Sequence, residues 1–445
     1  MSEALGVALV GCGTVGGGVA KILIGHAERL THRSGRPVAL RRVVVRDLQK
    51  PRPDCVPADL ISTDIAAAIS DPSVHVVVEL IGGTAAAKKV VLDALAAGKH
   101  VVTANKALLA ASGGEVFAAA RRAERAVCFE AAVAGGVPII RALGESLAAN
   151  QVTASQGILN GTSNFILSAM DERGLTYADA LAEAQAWGYA EADPTLDVDG
   201  SDAAHKLAVL AQIAFGVAAK PHEIERKGID TIDAMDIRFA DELGYTIKLL
   251  AEAWTTPRSR DAQRSAPGVA LHVAPVLLRH TDLLAQVRGA YNAILVHGDI
   301  VGETLYQGPG AGEMPTASSV VADLIDLAVG RAQRTFAAAQ LWSEPGTRSP
   351  FTVEPTERVR SRFYLRLLVA DKPGVLADVT RILADEQISI SSVVQHEAAE
   401  GTDPQPLPLV IVTHYAETGR FKAALGKING LKWIASPAVF YSMGD

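Results

Sequence analysis

The feature that most constrains this chain lies near its start. An apolar run at residues 7–10, which reads as a strand, passes straight into Gly11-Cys12-Gly13-Thr14-Val15-Gly16 and then into a helical pattern at 17–30. Glycines at these spacings let the backbone turn tightly and approach a pyrophosphate, and a helix beginning there offers free amide donors and a partial positive charge. The motif alone is a weak signal, because glycine-rich turns are common. Its setting gives it weight. Further β-branched runs at 39–45, 74–80, 100–103 and 126–130 alternate with Ala-rich helical stretches near 86–97 and 114–124. That alternation predicts βαβ units, hence an α/β fold with a Rossmann-type doubly wound parallel sheet over residues 1–150. A dinucleotide is the expected ligand, and a purely structural turn is the alternative.

The middle of the chain, 151–309, has a different texture. Residues 151–159, 269–276 and 292–297 read as strands of an antiparallel or mixed sheet, and 177–187 and 202–215 as helices, which makes a second α+β domain. Gly308-Pro309-Gly310-Ala311-Gly312 then leads into a helical pattern at 316–329, expected to return to the first domain so that 310–335 completes it. Residues 336–360, with Pro345, Gly346, Pro350 and Pro355, lack periodicity and read as a linker. From 361 to 445, strands at 362–369, 388–394, 409–413 and 438–441 alternate with helices at 374–386 and 418–425, a βαββαβ module. The Gln405-Pro406-Leu407-Pro408 stretch suggests no role.

Composition narrows the function. Of 445 residues, 49% are hydrophobic and 20% charged, which excludes disorder, and the length excludes a peptide hormone or disulfide mini-fold. The net charge is -7 and there is no basic run, so no nucleic-acid partner is expected. Three scattered cysteines, Cys12, Cys55 and Cys128, fit neither a zinc site nor a disulfide framework and point to the cytoplasm. The longest apolar stretch, 207–219, is broken by Gln212 and is shorter than the ~20 residues of a membrane span; Glu3 stands where a secretory signal is basic. Small molecules remain as partners.

Several residues carry chemistry. The second strand ends Val45-Arg46-Asp47, where the Arg46 guanidinium is placed to pair with a 2'-phosphate and so favours NADP; Asp47 keeps NAD open, and a solvated strand-end arginine is the bland reading. The next two strands end in Glu79-Leu80-Ile81-Gly82-Gly83-Thr84 and Thr103-Ala104-Asn105-Lys106, at the sheet edge where ligands bind. Lys106 there is either an active-site ammonium or a surface lysine opening a helix. The loop from Gly188 to Asp202 gathers five carboxylates, Glu191, Asp193, Asp197, Asp199 and Asp202, suited to a cation, a helix cap or a substrate ammonium, or simply to solvent. Asp202 and Lys206 are four apart on one helical face. Lys206 thus reads as an acid on the apolar side or as a salt-bridged structural lysine.

Taken in order, these segments resemble homoserine dehydrogenase in the form that carries a C-terminal ACT domain. The likeness spans nearly the whole chain and rests most on Phe129-Glu130-Ala131-Ala132-Val133-Ala134-Gly135-Gly136-Val137-Pro138-Ile139, Gly157-Ile158-Leu159-Asn160-Gly161-Thr162-Ser163-Asn164-Phe165-Ile166 and the Gly188 to Lys206 block. The resemblance implies NAD(P)-linked interconversion of aspartate 4-semialdehyde and homoserine, on the way to threonine, methionine and isoleucine. It implies Lys206 as proton donor with Asp202 beside it and Lys106 as a second active-site lysine. Glu191 and Asp202 would hold the substrate's amino and hydroxyl ends, with Asn160, Gly161, Thr162 and Asp197 lining the same pocket. Gly11, Cys12, Gly13, Thr14, Val15, Gly16, Arg46, Gly82, Lys106, Gly188 and Gly312 would contact the cofactor.

The family also binds a monovalent cation, usually sodium, and the implied ligands here are the Glu130 carboxylate and the carbonyls of Val133, Gly135 and Val137. In the tail, Asp371-Lys372-Pro373-Gly374-Val375-Leu376 resembles the ligand-binding turn of ACT domains, which implies feedback control by threonine through Asp371, Gly374, Val375 and Leu376. A dimerising module without a ligand is the alternative. A homodimer or homotetramer is expected, and a chain without a kinase domain, because no segment of that size precedes the first strand. The opposing reading, a non-catalytic NADP-binding sensor of amino acids, loses ground because Lys106, Asp202 and Lys206 are all present, and the Asn160 and Glu191 blocks disfavour a dehydrogenase for another semialdehyde.

Overall fold

The computed structural model describes residues 3–256, 267–339, 341–342, 351–396 and 406–444. The chain divides into two compact units, the first made of Met1–Gly161, Asp202–Ile224 and Ala290–Phe351, the second of Thr162–Ser201, Glu225–Gly289 and Thr352–Asp445.

In the first unit six parallel strands, β1 (Leu5–Val10), β2 (Val38–Val44), β3 (Ile61–Ser62), β4 (Val76–Glu79), β5 (His100–Thr103) and β6 (Val127–Cys128), lie in the order β3-β2-β1-β4-β5-β6. This is the doubly wound order, with the switch point beside β1. All six residues of β1 are buried, as expected of a central parallel strand covered on both faces. The helical pattern at 17–30 resolves into two helices, α1 (Thr14–Gly25) and α2 (Ala27–Ser34). They separate at His26, whose φ of -126° and ψ of 25° are not helical, and α2 buries only Leu30 and Ser34. α3 (Ile65–Ser70), α4 (Ala85–Ala96) and α5 (Lys106–Ala123) follow. The helix Glu313–Ala328 returns to this sheet, and its Ala317, Val320, Val321, Leu324 and Leu327 join the core built on β1, β2 and α1. The run at 126–130 gives only the two-residue β6, because Glu130–Ala132 turns as a 3-10 helix. Also in this unit, β7 (Val152–Ile158) pairs antiparallel with Tyr291–Gly298, which pairs antiparallel with Gly302–Pro309.

The second unit holds a long antiparallel pair, Tyr245–Thr256 with Gly268–Arg279. Its tail forms the alternation of Arg360–Val369, Val375–Asp385, Ile390–Gln395, Leu407–Thr413, Thr418–Asn429 and Ile434–Met443. This module closes over its own core, in which Phe363, Leu365, Leu367, Val379, Leu383 and Phe421 are buried. Its last strand runs parallel to Gly268–Arg279, pairing Val276 with Ser442 and Leu277 with Met443. Beneath that junction the Asp236 carboxylate is wholly buried and takes two hydrogen bonds from Arg366, at 2.6 and 2.8 Å, and one from the Tyr364 hydroxyl at 3.1 Å. Such a pair is unaffordable unless it is fully bonded, which it is.

Of the stretch read as a linker, residues 340 and 343–350, with Pro345, Gly346 and Pro350, lie outside the described residues, as does Gln405. Thr352–Val353 forms a short strand against Gly268 and Val269, and Leu407 and Pro408 open a strand. No helix among the described residues is long and apolar enough to cross a membrane.

Candidate active site

The glycine motif takes up the geometry its spacing demands. Gly11 has φ +100°, and a Cβ on it would lie 2.6 Å from the Leu80 carbonyl; a Cβ on Gly16 would lie 2.1 Å from the Gly11 carbonyl. Side chains are therefore excluded where the turn and helix close up. Gly13 is the N-cap of α1, has no side-chain cap, and faces open space within 4 Å of its missing Cβ. The first amides of α1, from Thr14 and Val15 onward, are thus left for an anion, and the residues present fit a nucleotide phosphate. Burial pushes the Cys12 thiol up, with Arg52 opposing and Cys55 reinforcing the shift.

At the other strand ends, Glu79 is buried and structural. One carboxylate oxygen accepts the amides of Ile81 and Gly82, at 2.9 and 3.3 Å, and the other the Thr103 hydroxyl at 2.7 Å, so it clasps the Gly82 turn to β5. Asn105 caps α5 through the Leu108 amide and donates to the Gly83 carbonyl at 2.7 Å, which fixes where Lys106 begins the helix. Arg46 is exposed just past β2. Asp47 is occupied locally, its carboxylate accepting the Gln49 amide at 2.9 Å and its carbonyl accepting from Arg52 at 2.5 Å. Sequence reading passed over Arg52, which is half-buried with Nε and Nη1 unpartnered among the described residues.

The helix Ser201–Phe215 carries the centre of the site. Asp202 accepts from Lys206 at 2.7 Å through Oδ2, from the Asn160 amide at 3.0 Å, and faces Lys106 at 3.2 Å through Oδ1. The side chains of Asp202 and Lys206 are 14% and 12% exposed, that of Lys106 35%. Burial by itself would raise the Asp202 carboxyl, but Lys206 and Lys106, with the hydrogen bonds from Lys206 and Asn160, outweigh it and hold the group far below the usual carboxylate range. Lys206 makes a second hydrogen bond, to the Leu159 carbonyl at 2.6 Å. One carboxylate thus gathers two ammonium groups, one fixed on a backbone carbonyl and the other at the sheet edge. The i,i+4 pair was visible in the spacing; the approach of Lys106 and Asn160 was implied only by the resemblance.

The acidic loop as far as Ser201 lies in the second unit. Asp193 accepts the amide and hydroxyl of Thr195, and Asp199 those of Ser201, so these two carboxylates cap turns. Glu191 is exposed, and the Asp197 carbonyl accepts the Ser163 hydroxyl at 2.6 Å. Thr162 donates to the Tyr189 carbonyl at 2.6 Å. Gly188 ends the preceding helix at φ +75°, and in the first unit Gly312 caps Glu313–Ala328 at φ +113°.

Glu130 is 2% exposed, and its carboxylate oxygens accept the amides of Ile140 and Arg141 at 2.9 and 3.0 Å. Arg141 is shared among Glu130, Asp323 and Asp326, at 3.7, 2.7 and 2.7 Å. Burial raises both Glu130 and Asp323, the latter to about 7, against the pull of Arg141. The Gly135 carbonyl accepts the Ser319 hydroxyl at 2.7 Å. The donors are all hard oxygens in a carboxylate-rich surrounding, and a carbonyl or carboxylate oxygen with one hydrogen bond keeps a lone pair, so a monovalent cation suits them. In the tail, Gly374 caps Val375–Asp385 at φ +97° without a side-chain cap; Val375 is buried, and Asp371 and Leu376 are exposed.

Comparison with known proteins shows the family. Three family models match: homoserine dehydrogenase over residues 138–325, the homoserine dehydrogenase NAD binding domain over 11–130, and the ACT domain over 363–431. A homoserine dehydrogenase of Pseudomonas aeruginosa is 45% identical over 97% of each chain. The crystal structure of a homoserine dehydrogenase from Thiobacillus denitrificans is 44% identical and superposes with a TM-score of 0.89 over 100% of this chain and 99% of that one. A hyperthermophilic archaeal homoserine dehydrogenase in complex with NADPH is 26% identical, with a TM-score of 0.59 over 73% of this chain and 97% of that one.

Proposed function

The chain belongs to the homoserine dehydrogenase family and is an NAD(P)-dependent oxidoreductase, and from that premise we propose that it interconverts L-aspartate 4-semialdehyde and L-homoserine with Lys206 as the proton-exchanging group. The observation that carries this reading is the Asp202 carboxylate set between Lys206 and Lys106. The nicotinamide, when bound, supplies or accepts the hydride. In reduction the Lys206 ammonium gives its proton to the carbonyl oxygen; in oxidation the neutral amine takes the hydroxyl proton. Asp202 and the Leu159 carbonyl hold that nitrogen in place, which confines the proton to one position. Lys106 adds a second positive charge facing the same carboxylate, suited to a developing alkoxide. Glu191, Asp197, Asn160, Gly161 and Thr162 complete the substrate contacts.

The first α1 amides, Gly82, Gly188 and Gly312 bind the cofactor, and Arg46 favours NADP over NAD. Glu130 and the carbonyls of Val133, Gly135 and Val137 hold sodium or another monovalent cation. The first unit's parallel sheet with 310–335 forms the nucleotide domain, 151–309 the substrate and dimerisation domain, and 361–445 a regulatory ACT domain that takes threonine at Asp371, Gly374, Val375 and Leu376. A cytoplasmic homodimer or homotetramer fits this role.

The test is initial-rate oxidation of homoserine with NADP and with NAD, each with and without sodium and millimolar threonine, for wild type and Lys206→Ala. Wild type should turn over, faster with NADP, and slow with threonine. Loss of the proton-exchanging amine should reduce turnover by about 10²–10⁴ with NADPH affinity kept within about twofold. Undiminished turnover in the variant removes Lys206 from the chemistry, and no wild-type turnover removes the substrate.

A further inference from the structure

We propose that Asn292 is a positioning residue for Lys206, acting through the carbonyl of Leu159. The inference rests on the reading of Lys206 as the proton-exchanging group. Asn292 lies on Tyr291–Gly298 next to Ala293, which pairs with Ile158, so its side chain stands beside the residue that follows β7. It is 1% exposed, and its Nδ2 donates 3.0 Å to the Leu159 carbonyl, the same oxygen that accepts Lys206 Nζ at 2.6 Å.

Hydrogen-bond accounting sets this apart from structural satisfaction. The Leu159 carbonyl is already paired by Lys206, so it needs no second donor to be stable where it is. Asn292 gains little for itself, because its Oδ1 is buried with no partner among the described residues, an arrangement that costs on the order of a hydrogen bond. A leucine of similar size would avoid that cost. What the carboxamide adds is direction: a second donor fixes the carbonyl in one orientation, and the Lys206 ammonium must follow it.

The carboxamide itself is pinned. The backbone of Gly310 lies flat against it, so close that a Cβ on that glycine would sit 2.1 Å from Asn292 Cγ and 2.3 Å from both of its terminal atoms. Gly310 belongs to the turn that ends two residues later in Gly312, the cap of Glu313–Ala328. Asn292 therefore touches the glycine turn with one face and the lysine's carbonyl anchor with its edge.

The test is Asn292→Leu in the full-length enzyme, alone and combined with Lys206→Ala. The single variant should fold with an unchanged thermal midpoint and bind NADPH within about twofold of wild type by fluorescence titration. Its kcat should fall about 10–100-fold with KM for homoserine little changed, and its solvent deuterium isotope effect should rise as proton transfer limits the rate. In the Lys206→Ala background the same substitution should cost less than about twofold, because the two act as one unit. An unchanged kcat and isotope effect in the single variant overturns the proposal. A full loss that persists in the Lys206→Ala background likewise overturns it, because Asn292 then acts independently of the lysine, whereas undiminished turnover of Lys206→Ala alone overturns the reading of Lys206 on which it rests. Should the leucine variant not fold, Asn292→Ser, which shortens the donor out of reach, is held to the same outcomes.

Discussion

Lys248 gives the sharpest test of these energetics. It is wholly buried on Tyr245–Thr256, where its Nζ donates 2.7 Å to the Val287 carbonyl and 3.1 Å to Asn164 Oδ1. Asn164 in turn donates to the carbonyls of Val287 and Gly289. Burial, reinforced by Arg288 and opposed by Asp171 and Glu172, pulls the Lys248 ammonium down from 10.5 to about 8. The unfolded chain then binds more protons than the folded one between those two values, so this residue's contribution to stability is complete above about 10.5 and is lost as pH falls through about 8. At about 1.4 kcal/mol per pH unit, the span amounts to about 3 kcal/mol. Lys248→Met removes the titrating group, and the Val287 carbonyl keeps the Asn164 amide. Thermal midpoints should therefore be measured for both proteins from pH 7 to 10.5. Relative to the variant, wild type should gain on the order of 5 °C across that range. A difference that stays flat with pH would show that the native ammonium keeps its proton and would refute the reasoning.

Two further outcomes follow from the geometry. Arg46→Ala should weaken NADPH by about 10-fold or more and leave NADH nearly unchanged in equilibrium titrations, since a guanidinium reads the 2'-phosphate alone; equal losses would assign that role elsewhere, with half-buried Arg52 next in line. Arg366→Met strands the Asp236 carboxylate and should destabilise the second unit by about 3–5 kcal/mol in denaturant titrations, whereas pairing it with Asp236→Leu should recover only part of that loss, because the buried Tyr364 and Tyr441 hydroxyls then lose their acceptor.

How much could be read ahead of the structure follows from which signals are local. The turn from β1 into α1 is written in three glycines within six residues, and the β-branched and Ala-rich alternation is likewise a property of neighbours along the chain. The i,i+4 spacing of Asp202 and Lys206 belongs to the same class, and so does the βαββαβ tail. Short-range spacing is ambiguous at Tyr245–Thr256, which the sequence left unread. Lys248 and Glu252 stand four apart, a spacing that marks one face of a helix and equally one face of a strand; here it is a strand, with Lys248 bonded to Asn164 and Glu252 to His272 at 2.9 Å.

Only the tertiary structure decided who partners whom. Lys106 meets Asp202 across 96 positions of sequence, and Asn292 reaches Leu159 across 133. Each of these side chains is an ordinary polar residue in the sequence, indistinguishable from a solvated one. Their meaning comes from burial: once desolvated, an ammonium, a carboxylate or a carboxamide is stable only beside specific partners, and the fold alone brings those partners within 3 Å or so. The sequence by itself determined the periodicities and the glycine turns, because those are set by steric rules among adjacent residues. The pairing of its buried polar groups was left to packing, because it depends on distance in space rather than along the chain.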